Sequence, residues 1–223
     1  MNFLSHFYNE QPLDDPYITA GVILPDILSN YSARSNSVVK VHPARLRDSA
    51  DAREKAIADG VRRHYTADAW FHESDFFKEN TLAMKTAVQQ SGLPCFEHKA
   101  YAFCHVLLEL LLDRKILIEE PGQCERFYTL LLQVDSEPMT AFIRAETEAS
   151  SPDLVTGHFQ HFARVQFIYD YMEDDRLLAI LDRINRRFHN PAILGSYDQE
   201  VKNLIHKAEN ALHAQKFPTF RTV

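Results

Sequence analysis

Apolar residues recur along most of this chain at spacings of three and four, and prolines with a few glycines fall between the periodic runs. Proline lacks an N–H and glycine tolerates positive φ, so this is how helices are punctuated. Breaks fall at Pro12–Pro16, Ser29–Pro43, Ser91–Pro94, Pro121–Gly122, Glu137–Pro138, Ser150–Pro152 and Asn190–Gly195. The segments between them are mostly too long for strands and rich in good helix formers. The spacing predicts helices over about 2–9, 15–30, 47–72, 74–90, 97–118, 122–134, 137–147, 153–173, 174–188 and 196–215, with ends placed to within about four residues. Short alternating runs bracketed by Asn-Gly or Asp-Gly are absent, and Asp59-Gly60 lies inside a helical pattern. Without a repeat or a low-complexity linker, the expected architecture is all-α: one domain over residues 1–223, a multi-helix bundle with a metal site between helices.

Two helices carry the chemistry. From Ala100 to Leu112 the chain reads AYAFCHVLLELLL, in which His105 and Glu109 are the strongly polar side chains. A helix apolar nearly all round is buried, so both polar groups must lie inside or face a cavity. A buried carboxylate costs several kcal/mol unless it is paired or holds a cation. Four residues apart, the two lie about 40° apart on one face and about 6 Å along the axis, where they can grip an ion or pair with each other. Between Gly60 and Glu73 the chain reads GVRRHYTADAWFHE, with His64, Asp68 and His72 at i, i+4 and i+8. Two such helices facing one another can supply nitrogen and oxygen ligands to a shared site. His64 and His72, about 12 Å apart along the axis, are too distant to bind one ion but can flank a cluster. Asp113 continues the rhythm of His105 and Glu109, yet beside Arg114 and Lys115 it reads as solvated.

The N-terminal third adds two candidates. His6 lies in the apolar context NFLSHFY, and Asp26 in GVILPDIL, where the preceding Pro25 makes a helix N-cap the simplest reading. Next to two helices carrying His-xxx-carboxylate, both become ligands for a hard or borderline divalent ion.

Composition narrows the class. A 223-residue chain with 45% hydrophobic and 25% charged residues has an ordinary globular balance and needs no disulfide staples to bury a core. Cys95, Cys104 and Cys124 are odd in number and form no CxxC, so they read as reduced intracellular thiols. A net charge of −7 argues against a general nucleic-acid binder. No run approaches the ~18 apolar residues of a membrane span, and MNFLSHFYNEQPLDD lacks the basic start and apolar core of a signal peptide. A soluble, cytoplasmic protein is the expectation.

MNFLSH at the start, the apolar run ending in Asp26, the His64-xxx-Asp68 helix and the later His105 helix resemble the acyl carrier protein phosphodiesterase family. That family opens with MNFLxH, follows it with a G-x-L-x-x-D element, and continues with H-x-x-x-D and a later D-H-F-L helix. The likeness is spread over most of the chain and includes the C-terminal KFPTF. It implies a metal-dependent hydrolase of lipid metabolism that removes the phosphopantetheine arm from holo acyl carrier protein. The matching positions are His6, Asp26, His64, Asp68 and His105. The chain departs from the family at Cys104, where an Asp is usual, at Tyr65, where an Arg is frequent, and at His72, where an acidic residue is more usual.

A remoter likeness is to zinc-dependent phospholipase C and its single-strand nuclease relatives. These all-helical proteins hold a metal cluster with an early His, an Asp, an H-x-x-x-D helix and an H-x-x-x-E helix. Here His6, Asp26, His64–Asp68 and His105–Glu109 are similar in type and order, with His72 or His42 for the remaining places. Those enzymes are secreted and begin their mature chain with a metal-binding tryptophan, and this chain shows neither feature. An HD phosphohydrolase is disfavoured, because no His-Asp dipeptide occurs.

The expected chemistry is metal-assisted hydrolysis of a phosphodiester by Mn, Zn or Fe, with more than one ion. His6, Asp26, His64, Asp68, His105 and Glu109 are the expected ligands, and His72 and His42 the reserves. Asp26 or Asp68 can alternatively orient the attacking water. Arg62 and Arg63, beside His64, can reach phosphate oxygens or form a solvated basic turn. Arg183, Arg186 and Arg187 form a candidate docking cluster for an acidic carrier protein, although a basic last turn also suits the helix dipole alone. His158 and His161 read as surface or packing histidines, and Phe159, Phe162, Phe167, Tyr169 and Tyr171 as core. Two other readings stay open: a phospholipase C-like phosphoesterase on another substrate, and a non-catalytic helical protein whose polar residues pair internally.

Overall fold

A computed structural model describes residues 1–35 and 37–218; of the KFPTF segment, Thr219 and Phe220 lie outside the described residues. Those described form helices and turns without a strand, in keeping with the predicted all-α class. The α-helices are α1 (Phe3–Asn9), α2 (Pro16–Ser35), α3 (Ala52–Glu73), α4 (Asp75–Gln90), α5 (Ala100–Glu119), α6 (Pro121–Leu131), α7 (Ser136–Glu146), α8 (Pro152–Val165), α9 (Asp174–Arg187) and α10 (Asp198–His213). No described helix is long and apolar enough to cross a membrane.

Two differences from the predicted boundaries have local causes. The run expected over 153–173 breaks at Gln166, whose left-handed backbone (φ 54°) ends α8, and a 3-10 segment, Phe167–Met172, follows. The run expected to end near residue 30 continues to Ser35, with Pro25 inside it. Asp26 is therefore not a helix cap. That role belongs to Asp15, whose Oδ1 accepts from the N–H groups of Tyr17 (2.8 Å) and Ile18 (3.0 Å), with Pro16 in the first turn.

The chain gathers into two compact units. The first takes Met1–Trp70 and Glu120–Phe167. Its centre is aromatic: Phe3 packs on Phe162 with ring centroids 4.6 Å apart, and Phe7 on Phe127 at 5.3 Å. Each such buried side chain contributes about 1.5–3 kcal/mol relative to exposure. Within this unit α2 and α3 cross almost backbone to backbone at Gly21 and Gly60. A Cβ added at Gly60 would stand 2.2 Å from the Ile18 carbonyl oxygen, and one at Gly21 2.1 Å from that of Ile57. Only glycine admits this approach, which brings the His64 turn of α3 onto the Val22 turn of α2.

Among the described residues, the second unit takes Phe71–Glu119 and 168–218. Here α5 packs against α4, α9 and α10. That wrapping buries the charged triplet at the end of its apolar run: Asp113 is fully buried, and Arg114 and Lys115 nearly so. The expectation of a solvated Asp113 is corrected accordingly. Arg114 pairs with Asp174 (2.8 Å) and Glu209 (3.1 Å), so its charge is matched where it is desolvated. The aromatic residues expected in the core largely lie there, Phe159 and Phe162 in the first unit and Tyr171 in the second, whereas Tyr169 is exposed.

Candidate metal centres

The predicted ligands form two groups, one in each unit. In the first, donor atoms of His6, Asp26 and His64 all lie within 4.8 Å of one another. His6 comes from α1 and is fully buried, Asp26 projects from the middle of α2, and His64 is buried on α3. The imidazoles of His6 and His64 stack, with centroids 4.0 Å apart and 27° between planes. Nδ1 of His64 lies 2.8 Å from the Val22 carbonyl oxygen. A carbonyl only accepts, so Nδ1 carries the proton, and in the neutral ring the lone pair is on Nε2. Metal-binding histidines are commonly oriented by such a second bond. Nε2 of His6 is 3.9 Å from Asp26 Oδ2 and 3.8 Å from Asp68 Oδ1, and Asp68 also accepts from the Met1 ammonium at 2.9 Å.

The second group is His72, His105 and Glu109, again with donor atoms within 4.8 Å. Nε2 of His105 donates to Glu109 Oε1 at 2.9 Å, and Nε2 of His72 stands 3.7 Å from the same oxygen. Phe77 lies against both imidazoles, at 4.5 Å from His72 and 4.9 Å from His105. His72, a reserve in the sequence reading, is thus a full member, while Asp113 is buried and joins neither group.

The donor sets fit divalent ions. Ligands about 2.0–2.1 Å from a tetrahedral ion stand about 3.3 Å apart. The two nitrogen–oxygen separations at Glu109 straddle that value. Those at His6 exceed it by about half an ångström, so these side chains would close by that much around a bound ion. Two imidazoles with one or two carboxylates are the ligands preferred by zinc, iron and manganese.

Other predicted site residues are engaged elsewhere. Arg63 is bound to Asp59 at 2.9 Å and lies 3.5 Å from Glu10, so the salt bridges take up its guanidinium; Arg62 is exposed. His42 is exposed at the N-cap of the 3-10 turn Pro43–Arg45 and joins neither group. In the expected docking cluster, Arg186 is paired with Asp182 at 2.8 Å.

One neighbour of the first group escaped the sequence reading except as a departure from a family pattern. The Tyr65 ring meets His64 edge-on at 5.4 Å, and its hydroxyl donates to the Val41 carbonyl at 2.8 Å. Burial first, and then the charges of Asp26 and Asp68, raise its phenol above the ordinary value. No signal in the sequence announces Val41 or Val22, because each contributes only backbone oxygen.

Comparison of the chain with protein-family models, with curated proteins and with solved structures finds no match.

Proposed function

We propose that this protein is a metal-dependent phosphodiester hydrolase. The reading is carried by the His6–Asp26–His64 group, in which donor atoms from three helices meet at largely buried positions. When bound there, a divalent ion supplies Lewis-acid stabilisation of phosphoryl oxygens and a more acidic water. The chain's own contribution is orientation. Val22 fixes the His64 tautomer, the Gly21–Gly60 crossing sets the spacing of α2 and α3, and Asp68, part-exposed, is suited to hold the attacking water and accept its proton.

The first substrate to test is holo acyl carrier protein, on the strength of the MNFLSH and His64-xxx-Asp68 resemblance. Manganese- or zinc-loaded protein should release 4'-phosphopantetheine from it. Asp26→Asn should abolish release and lower metal content, since an amide is a poor ligand for these ions. Wild-type metal content and turnover in that variant would refute the assignment.

A second reading, a zinc phosphoesterase with phospholipase C-like substrates, is favoured by one observation. Glu109 is drawn together with His72 and His105 into a further three-ligand group. Turnover of a short-chain phosphatidylcholine, with none of the carrier protein, would select it. Internal pairing without catalysis would be selected by a folded protein that binds no divalent ion.

A further inference from the structure

From Ile27 to Arg47 the chain contains no Asp or Glu, although the whole has 31 of them; Arg34, Lys40, Arg45 and Arg47 all fall in this stretch. Residues 38–42 form a strap outside the helices. Val39 and Val41 are buried, while Val38, Lys40 and His42 between and beside them are exposed, an alternation that turns one side of the strap to the core. Two latches hold it. Ser32 Oγ accepts from the Val39 N–H at 2.9 Å, with its own proton shared between the Leu28 carbonyl at 2.7 Å and the Val39 carbonyl at 3.2 Å, and the Tyr65 hydroxyl holds Val41. Tyr65 is the neighbour of His64 and touches its ring, so the strap is fastened to the turn of α3 that carries the metal group.

We infer that this strap is a docking surface for an acidic protein, with Lys40, Arg45 and Arg47 meeting its carboxylates beside the His6–Asp26–His64 group. The inference rests on the phosphodiesterase reading for the use of that group, but not for the charge of the surface. Lys40, Arg45 and Arg47 are exposed, and no ion pair is recorded for their side chains among the described residues. Acidic neighbours lie at one end of the stretch: Asp48 follows Arg47 in the chain, and Glu146 takes the Arg47 backbone N–H at 3.3 Å. At the α2 end of the stretch stands one further permanent cation, Arg34, near His158, whose imidazole burial first and then Arg34 and His161 hold below its ordinary value. Against a net charge of −7, a cationic patch this short attracts a partner at contact range and gives little hold on a long polyanion.

The test is a binding measurement on the full chain that does not depend on turnover. Fluorescently labelled apo acyl carrier protein, which has no arm to hydrolyse, serves as the acidic probe in an anisotropy titration at 50 mM salt. Wild type should bind it, and K40E/R45E should bind about tenfold more weakly. A carrier that does not bind, equal affinity of the two proteins, or tighter binding of a transfer RNA than of the carrier would each overturn the proposal. Loss of hydrolysis with charge-sensitive binding retained would instead count against the phosphodiesterase reading alone. Tyr65→Phe provides a second readout. It removes the Val41 latch but no charge, so binding of the apo carrier should weaken less than in K40E/R45E; a loss as large as that of K40E/R45E would overturn the assignment of the binding to charge.

Discussion

Replacing Gly60 by alanine should destabilise the first unit, although the same change inside an ordinary helix stabilises it. The propensity gain is about 1 kcal/mol. Against it stands the crossing with α2, where the new Cβ would lie 2.2 Å from the Ile18 oxygen, 2.7 Å from the Val22 nitrogen and 2.8 Å from the Gly21 Cα. These are backbone atoms, so no side chain can rotate away, and the helices must separate by about 1 Å to reach ordinary contact. Such overpacking costs about 1–3 kcal/mol or more. The same movement would stretch the bond from His64 to Val22 beyond hydrogen-bond length, a further ~1 kcal/mol. The balance is a net loss of about 1–3 kcal/mol, read as a lower urea midpoint with unchanged slope. Gly157 supplies the control: it is exposed on α8 with nothing within 4 Å of an added Cβ, so Gly157→Ala should stabilise by up to about 1 kcal/mol. Equal stability of Gly60→Ala and Gly157→Ala would refute the reasoning.

In the second unit, Glu109→Gln should lower zinc content by one equivalent, measured by atomic emission after gel filtration; full occupancy would remove Glu109 from the ligands. His105→Ala should abolish turnover of whichever diester the wild type hydrolyses, and retained kcat would exclude a catalytic part for the second group. The three cysteines are buried, and burial pushes the Cys95 thiol up to about 11 and the Cys104 thiol up to about 12, so both remain protonated at pH 8. Folded protein should therefore leave Ellman's reagent nearly unreacted at that pH, and denatured protein should react at all three sites. Rapid titration of even one thiol in the native state would contradict the burial.

What the sequence reveals divides along the line between local and tertiary causes. Helix α5 is legible because thirteen residues with two strongly polar side chains admit no exposed face, and the same fact picks out His105 and Glu109. His64 and Asp68 are legible from a spacing of four. For Asp26 the preceding proline makes a helix cap the local alternative to a ligand, because proline usually opens or ends a helix. Inside α2, Pro25 removes only the bond to the Gly21 carbonyl, a local defect that packing across α3 outweighs. Next to Arg114 and Lys115 the local sequence of Asp113 favours a solvated carboxylate; its burial is imposed by α9 and α10, far along the chain. The strap leaves no mark in the sequence for a similar reason, since both of its latches end on backbone atoms of valine.

The two groups differ in how closely their donor atoms approach one another, and that difference bears on what a bound metal would add to each. At the second group, His105 donates to Glu109 at 2.9 Å, so a direct bond already compensates part of the carboxylate's desolvation. At the first, Nε2 of His6 stands 3.8 Å from Asp68 Oδ1 and 3.9 Å from Asp26 Oδ2, beyond direct hydrogen-bond reach of either oxygen, so an ion drawing these atoms together would add a link that this pair of contacts does not make. Removal of metal by a chelator should therefore destabilise the first unit more than the second. Amide exchange resolves the two: protection in α1 and around Val22 on α2 should fall when metal is stripped, while protection in α5 should change less. A larger loss in α5 would mean that the ion holds the second group together and that the first is sustained by its own contacts.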